Sequence, residues 1–242
     1  IASWIFNNIN LKRSINVETH LGKEIAVELL DDCVFSCSYD YDFFNNLNEA
    51  LKNYKFALIN GIIESVGEIH HLLHKANQNK KPYVIFCFGM SEEVKQTIIK
   101  NNNLGRLKVY PVCLDANDEN TLNILNDFSV IQGGSVISSD LGQTISQEVR
   151  KDLLESKEIK FQPGKIIIKS SVDKLIIEQH KKFLKKRIDE AITKSDVKIE
   201  PLKNRLKSFT SSRLNIYLPE TLLKDKKLIR ELDYVLRYMS NL

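Results

Sequence analysis

The sequence contains few of the residues and runs that mark several common classes of protein. Its 242 residues include four cysteines, five prolines, nine glycines and one tryptophan. No apolar run approaches the roughly 20 residues that a membrane-spanning helix needs, so no such helix is predicted. The cysteines are too few for a disulfide scaffold and favour free thiols in a reducing compartment. They are Cys33, Cys37, Cys87 and Cys113.

Patterns typical of phosphate, metal or nucleic-acid binding are also missing. The chain has no Gly-rich phosphate loop. Cys33-x3-Cys37 has no second cysteine pair, and no acid or cysteine close in sequence completes a site with His70 and His74, so no metal is predicted. The net charge of +4 is small, and lysines alternate with acids even around the basic run 181–187. The charge pattern therefore predicts a solvated helix face and no nucleic-acid partner.

The remaining composition is that of an ordinary globular protein with real cores. Apolar residues make up 43% of the chain and charged residues 27%. The length fits one large domain or two modest ones. The first residues lack a Met and a charged leader region, so we expect a chain cut from a longer protein.

Residues 55–142 alternate between strand patterns and helix patterns. Buried-type strands start near Phe56, Tyr83 and Leu107, and Ser65 and Ser91 have the acids that follow a helix N-cap. The order β-α-β-α-β-α-β predicts a layered α/β domain. A hairpin around Pro163-Gly164 follows it.

Both ends of the chain show a different pattern, of short strands and amphipathic helices. Strands are predicted at 15–18, 25–30 and 214–218, and helices at 172–193, 201–209 and 220–239. Tyr39, Tyr41 and Phe43 alternate, which predicts three rings on one face of an extended segment. Those rings are either half-buried core or an apolar contact surface.

The most specific motif is a helix that ends at a glycine pair and continues as a strand. Leu125, Phe128 and Ile131 follow helical spacing up to Gly133-Gly134, and Val136-Ile-Ser138 then leads to a turn at Gly142. The amino-acid sequence of this segment, with Asp127 in the helix, resembles the apical domain of GroEL-type (group I) chaperonins, with Ser135 in place of a threonine. Similar matches occur in the same order at 15–18, 35–46, 81–86, 187–191 and 224–237.

This resemblance implies a specific architecture and function. The fold would be α/β, with a layered β/β/α apical domain at 32–211 and a small α+β intermediate domain made of 1–31 and 212–242. The function implied is that of a molecular chaperone: an apical domain that captures non-native polypeptides in an apolar groove. The resemblance also implies a co-chaperonin lid as partner and, at full length, a homo-oligomeric ring. The reducing-compartment cysteines fit bacterial or phage-infected cytoplasm or an organelle matrix, in a mitochondrion or plastid.

The resemblance also assigns the polypeptide-contact residues. The implied positions lie in the aromatic segment and in two helices, and the last of them has an uncertain register, so that Ile98 or Lys100 fills it. They are Tyr39, Phe43, Phe44, His70, Leu73, Lys95, Ile98 and Ile99. His70 and Lys95 replace apolar residues of the family, so we expect a more polar groove. Leu73 and Ile99 have the alternative of ordinary core packing.

Hinge and catalytic positions follow from the same comparison. The family's hinge glycines correspond to Asp32 and to Ser211-Ser212, whose narrower backbone freedom predicts a stiffer hinge. The family's ATPase aspartate corresponds to Asp233 if one residue is inserted upstream, with Glu231 as the ungapped alternative. ATP and Mg are expected in an equatorial domain that this sequence lacks, so no cofactor and no catalysis are predicted for the chain alone. The rival hypothesis is a free-standing α/β small-molecule-binding domain or enzyme.

Overall fold

The chain folds into two compact units, built from residues 1–33 with 209–242 and from residues 34–208. A computed structural model describes residues 14–20, 26–30, 32–37, 39, 42–44, 47, 49–114, 119–193, 199–210, 213–219 and 230. None of the helices in these ranges combines the length and the apolar character that crossing a membrane requires.

Strands and helices alternate through the middle of the chain, as expected. The described strands are β1 (Ser14–His20), β2 (Ala26–Leu30), β3 (Asp32–Ser36), β4 (Leu51–Asn60), β5 (Ile62–Ile63), β6 (Tyr83–Cys87), β7 (Gly89–Met90), β8 (Val109–Cys113), β9 (Val136–Ser138), β10 (Glu155–Gln162), β11 (Lys165–Lys169) and β12 (Arg213–Pro219). The described helices are α1 (Val66–Asn79), α2 (Glu92–Asn103), α3 (Glu119–Gln132), α4 (Ile145–Glu148), α5 (Lys174–Thr193) and α6 (Ile199–Thr210).

The smaller unit contains a sheet made from both ends of the chain. Its described strands have the order β1-β12-β2. The middle strand, β12, pairs in parallel with β1 from Ser14↔Arg213 onward. It pairs antiparallel with β2, where Arg213 lies opposite Leu30. The predicted helix at 220–239 lies outside the described residues.

The larger unit is organised around β4, the longest described strand. The described sheet runs β3-β11-β10-β4-β6-β8, and β9 also pairs with β4. The first half of β4 pairs antiparallel with β10, while its second half pairs in parallel with β6 and β9. This mixed sheet with helices confirms the predicted α/β class.

Alternate residues of β4 point to opposite faces of the sheet, and helices pack on both faces. On one face, Ala57 and Ile59 join the buried residues of α1 and α2 in a single apolar cluster. On the other face, Phe128 of α3 packs against Phe86 of β6, with ring centroids 4.8 Å apart. Two outer helices, α1 and α2, are therefore left with one side towards solvent.

The glycine pair after α3 is required by the packing, as the sequence predicted. Gly133 has a φ of 76°, the left-handed conformation that ends a helix. At Gly134, a Cβ atom would lie 2.6 Å from Cε2 of the buried Phe56 ring. The strand β9 can approach β4 only because this position has no side chain.

The aromatic segment departs from the sequence prediction. Asp42–Phe44 form a single turn of 3-10 helix, so Phe43 does not continue the extended alternation that begins at Tyr39. The turn directs Phe44 into the core, where only 1% of its surface is exposed. The alternate spacing of the rings in the sequence is typical of a strand, and this spacing alone does not reveal the turn that buries Phe44.

Candidate functional site

A groove lies between α1 and α2 on the outer side of the helix layer; we call it the α1–α2 groove. Its volume is about 350 Å³. Leu73 is half-buried and supplies apolar surface, while Leu107 belongs to the buried cluster at the bottom of the groove. The residues that line the groove are His70, Leu73, His74, Asn77, Asn101, Arg106 and Leu107.

Local sequence positions this groove through the caps and the buried faces of the two helices. Oε2 of Glu68 accepts a hydrogen bond from the Ser65 amide (3.1 Å), and Oγ of Ser91 accepts one from the Val94 amide (3.4 Å). These bonds satisfy amides that a helix start leaves unpaired. In α1, Ile69, Leu72 and Ala76 face the core, and the residues one position further on, His70, Leu73 and Asn77, line the groove.

The groove has a cationic end, where both helices finish. The rings of His70 and His74 stack with centroids 6.4 Å apart, which places both imidazoles along one side. Nζ of Lys80 donates to the carbonyl oxygen of Arg106 (3.1 Å) and to Oδ1 of Asn77 (2.9 Å). The Lys80 ammonium therefore lies beside the backbone of Arg106, which itself lines the groove, and none of the lining residues that the structure describes is an acid.

His71 lies on the other flank of α1 and stays outside the groove. Nε of Arg150 donates to Nε2 of His71 over 3.0 Å. Partial removal from solvent lowers the pKa of His71, and the charge of Arg150 lowers it further. The nearby positive charge and the N–H donated by Arg150 both disfavour protonation of this imidazole.

The structure brings together only some of the residues predicted to contact a polypeptide. His70 and Leu73 both line the α1–α2 groove. Lys95 and Ile99 are partly exposed on α2. Phe43 is partly buried and packs against the cluster beneath α1 and α2. The contact role of these five residues stays a prediction.

Three other predicted contact residues are not exposed as the prediction requires. Ile98 is fully buried beneath α2, and Phe44 and Tyr39 are 1% and 8% exposed. The rings of Phe44 and Phe161 have centroids 4.1 Å apart, and Oη of Tyr39 donates to the carbonyl oxygen of Gln162 over 2.8 Å. The expectation of a surface patch at these three positions is corrected: they pack in the interior of the larger unit.

The predicted hinge and catalytic positions fall mostly beyond the described structure. Asp32 is the first residue of β3 and is partly exposed. Ser211, Ser212, Asp233 and its alternative Glu231 lie outside the described residues. The two units divide after Cys33 and after Ser208.

A second cavity of about 650 Å³ lies among α3, α5 and α6; we call it the three-helix cavity. Beside it, Asp127 of α3 is fully buried. Its carboxylate accepts from Nε and an Nη of Arg205 (2.8 and 2.7 Å) and lies 2.8 Å from Nε2 of His180. We call these three residues the Asp127 cluster. Because both carboxylate oxygens are paired with basic groups, a charge can be accommodated in the core.

The Asp127 cluster is the feature that sequence reasoning missed. An acid on an apolar helix face signals a buried partner, but His180 and Arg205 lie 53 and 78 residues further along. None of the four cysteines forms a disulfide in the structure. No group of three or more metal-ligating side chains occurs among the residues that the structure describes.

Comparison with solved structures gives the fold a relative. The chain is similar to the chaperonin gp146 from bacteriophage EL 2 (Pseudomonas aeruginosa), crystallised in the presence of ATP-BeFx. In crystal form II the TM-score is 0.62 at 15% identity, over 97% of this chain and 46% of that one. In crystal form I the TM-score is 0.57 at 15% identity, over 98% and 47%. No family model matches the sequence.

The likeness establishes a chaperonin-like fold for this chain. The chain spans about half the length of the chaperonin chains that it matches. At this level of identity the similarity concerns the fold, so the role of the α1–α2 groove has to be argued from its own residues.

Proposed function

We propose that this chain is the substrate-capturing part of a chaperonin and binds non-native polypeptides at the α1–α2 groove. The observation that carries the proposal is the groove itself, which opens to solvent on the outer helix layer of a chaperonin-like fold. The half-buried Leu73 offers apolar surface over the buried Leu107, and the rim offers polar groups. Burial of apolar surface is non-directional, so such a groove accepts many client sequences, each weakly.

The proposal extends to the full-length protein. There we expect a homo-oligomeric ring and an equatorial domain that binds ATP and Mg. Asp233, in the intermediate-domain segment, would act as the catalytic aspartate of the ATPase. A lid-like co-chaperonin is a further expected partner. The free thiols fit a reducing compartment, and the phage origin of the similar structures favours the cytoplasm of an infected bacterium.

The test is capture of a chemically denatured, fluorescently labelled reporter enzyme by the 242-residue chain. Leu73→Gln removes apolar contact area from the groove. Half of a leucine's burial is worth roughly 1 kcal/mol, so the dissociation constant should rise about fivefold. Fluorescence anisotropy measures the constant, and circular dichroism melting confirms that the variant is folded.

The matched control is Leu175→Gln, which removes an exposed leucine from α5 instead. Its dissociation constant should stay within a factor of about two of the parent, as expected for a surface change away from the contact. Equal weakening by both variants, or no binding by the parent chain, would contradict capture at the α1–α2 groove.

A second candidate function is small-molecule binding, which the three-helix cavity favours. Its volume of about 650 Å³ lies in the range of ligand pockets. It presents carboxamides of Asn123 and Asn126, the guanidinium of Arg187 and the half-exposed ring of Phe183. A thermal-shift screen of metabolites checks this candidate: a hit that Asn123→Ala abolishes would support it, and an empty screen would count against it.

A further inference from the structure

The α1–α2 groove has an uneven distribution of charge along its length. Both helices follow short parallel strands, β5 and β7, and both lead into parallel strands, β6 and β8, so they run in the same direction. Acids occupy their first turns, at Glu68 in α1 and at Glu92 and Glu93 in α2. The cations lie where the helices finish.

The acids are too distant to neutralise the cationic end. The 14 residues of α1 span about 21 Å at 1.5 Å per residue. Screening by salt acts over about 8 Å at physiological ionic strength. Glu68 is also engaged, because its Oε2 accepts from the backbone amides of Glu64 and Ser65. A ligand at the far end therefore meets the field of Lys80 and Arg106.

Apolar and cationic groups are combined at that end. Leu73 lines the groove from α1 together with the stacked imidazoles of His70 and His74, and Arg106 and Leu107 line it from the loop after α2. Asn77 and Asn101 add carboxamides that hydrogen-bond to either donors or acceptors. The groove therefore suits a bound segment in which an apolar side chain has carboxylates as its neighbours.

We propose that the α1–α2 groove selects client segments in which aliphatic residues are flanked by Asp or Glu. This inference rests on the proposed function and specifies the clients that the same site takes. Carboxylates of the segment contact Arg106 and Lys80 at the rim, while an aliphatic side chain covers Leu73. Basic segments are disfavoured because like charges meet at that rim.

The experiment uses the 242-residue chain and three labelled peptides with one shared Leu-Ile-Val centre, flanked by Glu, Gln or Lys. We expect affinity in the order Glu, Gln, Lys, with about fivefold between the first and last in low salt. The difference should shrink at 1 M salt, where screening acts over about 3 Å. Fluorescence anisotropy gives the dissociation constants.

Two variants, each lacking one positive charge, test whether the preference for acidic peptides arises at the α1–α2 groove. Arg106→Gln should reduce the ratio between the Glu and Lys peptides to about twofold or less. Lys185→Gln removes one positive charge from the exposed side of α5 and should leave the ratio unchanged. Melting curves of both variants separate binding from helix stabilisation, because a cation at a helix end also stabilises that end.

The outcomes distinguish this inference from the function on which it rests. Equal affinity for the three peptides, or an equal loss of preference in both variants, overturns the acidic preference and leaves polypeptide capture standing. Failure of all three peptides and of the denatured reporter enzyme to bind overturns polypeptide capture itself.

Discussion

At the scale of single residues, Asp127 joins three helices through its carboxylate. The side chain is fully buried on α3, and its partners His180 and Arg205 belong to α5 and α6. A buried charge is tolerated only when its partners remain in place. The cluster therefore holds α5 and α6 against α3.

Asp127→Asn tests this role of the carboxylate. The amide keeps the shape but removes the negative charge, which leaves the Arg205 guanidinium buried without its counter-ion. We expect the free energy of unfolding to fall by about 3–5 kcal/mol, measured by urea denaturation. Asp189→Asn, on the exposed side of α5, is the control and should change it by less than about 0.5 kcal/mol. Similar values for both variants would mean that the cluster contributes little.

Gly134 provides a second test at the residue scale. A Cβ atom there would lie 2.6 Å from the Phe56 ring, whereas a Cβ at Gly61 would meet nothing within 4 Å. Gly134→Ala should cost about 1–3 kcal/mol of stability through overpacking. Gly61→Ala should be neutral or slightly stabilising, because its backbone is in an ordinary conformation. Equal melting temperatures for the two variants would contradict the close approach seen at Phe56.

At the scale of helices and strands, local signals determined most of the element boundaries. The serine caps and first-turn acids of α1 and α2 were visible in the sequence, and so was the end of α3 at Gly133. The turn at Asp42–Phe44 was not, because the Phe44 ring is held by Phe161 and Tyr110 from distant strands. Contacts between residues so far apart in the sequence leave no pattern in the local spacing of apolar residues.

Phe44→Ala distinguishes a core residue from a contact residue. The ring is 1% exposed and packs on Phe161, so its loss should cost about 3–5 kcal/mol of stability. Phe183→Ala, at a ring that is 52% exposed on α5, should cost less than about 1 kcal/mol. Denaturant melts of both variants give the values. A stable Phe44→Ala variant with weakened client capture would restore Phe44 to the binding surface.

At the scale of the whole molecule, the chain passes through the larger unit and closes the smaller sheet with β12. The alternating pattern predicted the layers of the larger unit, and the order of short motifs predicted the chaperonin-like fold. The groove was predicted in part, at His70 and Leu73. Arg106 and Leu107 were not foreseen as groove residues: Leu107 was predicted to begin a buried strand, whereas β8 begins at Val109 and leaves both residues in the loop after α2.

Ile216→Pro tests the separate organisation of the smaller unit. Ile216 lies in the middle strand, opposite Val17 on one side and Val27 on the other. Proline removes a ladder donor from that strand and disrupts the sheet. Hydrogen exchange should accelerate in β1 and β2 while β4 and β6 keep their protection. Loss of protection in all four strands together would show that the two units unfold as one.

Protection of backbone amides on client binding tests the central claim most directly. Hydrogen exchange of the 242-residue chain is compared with and without a saturating denatured client. Polypeptide capture in the α1–α2 groove predicts slower exchange in α1, in α2 and at residues 104–107, with no change in α5. Slower exchange confined to α3, α5 and α6, or unchanged exchange throughout, would contradict the assignment of the α1–α2 groove as the polypeptide-binding site.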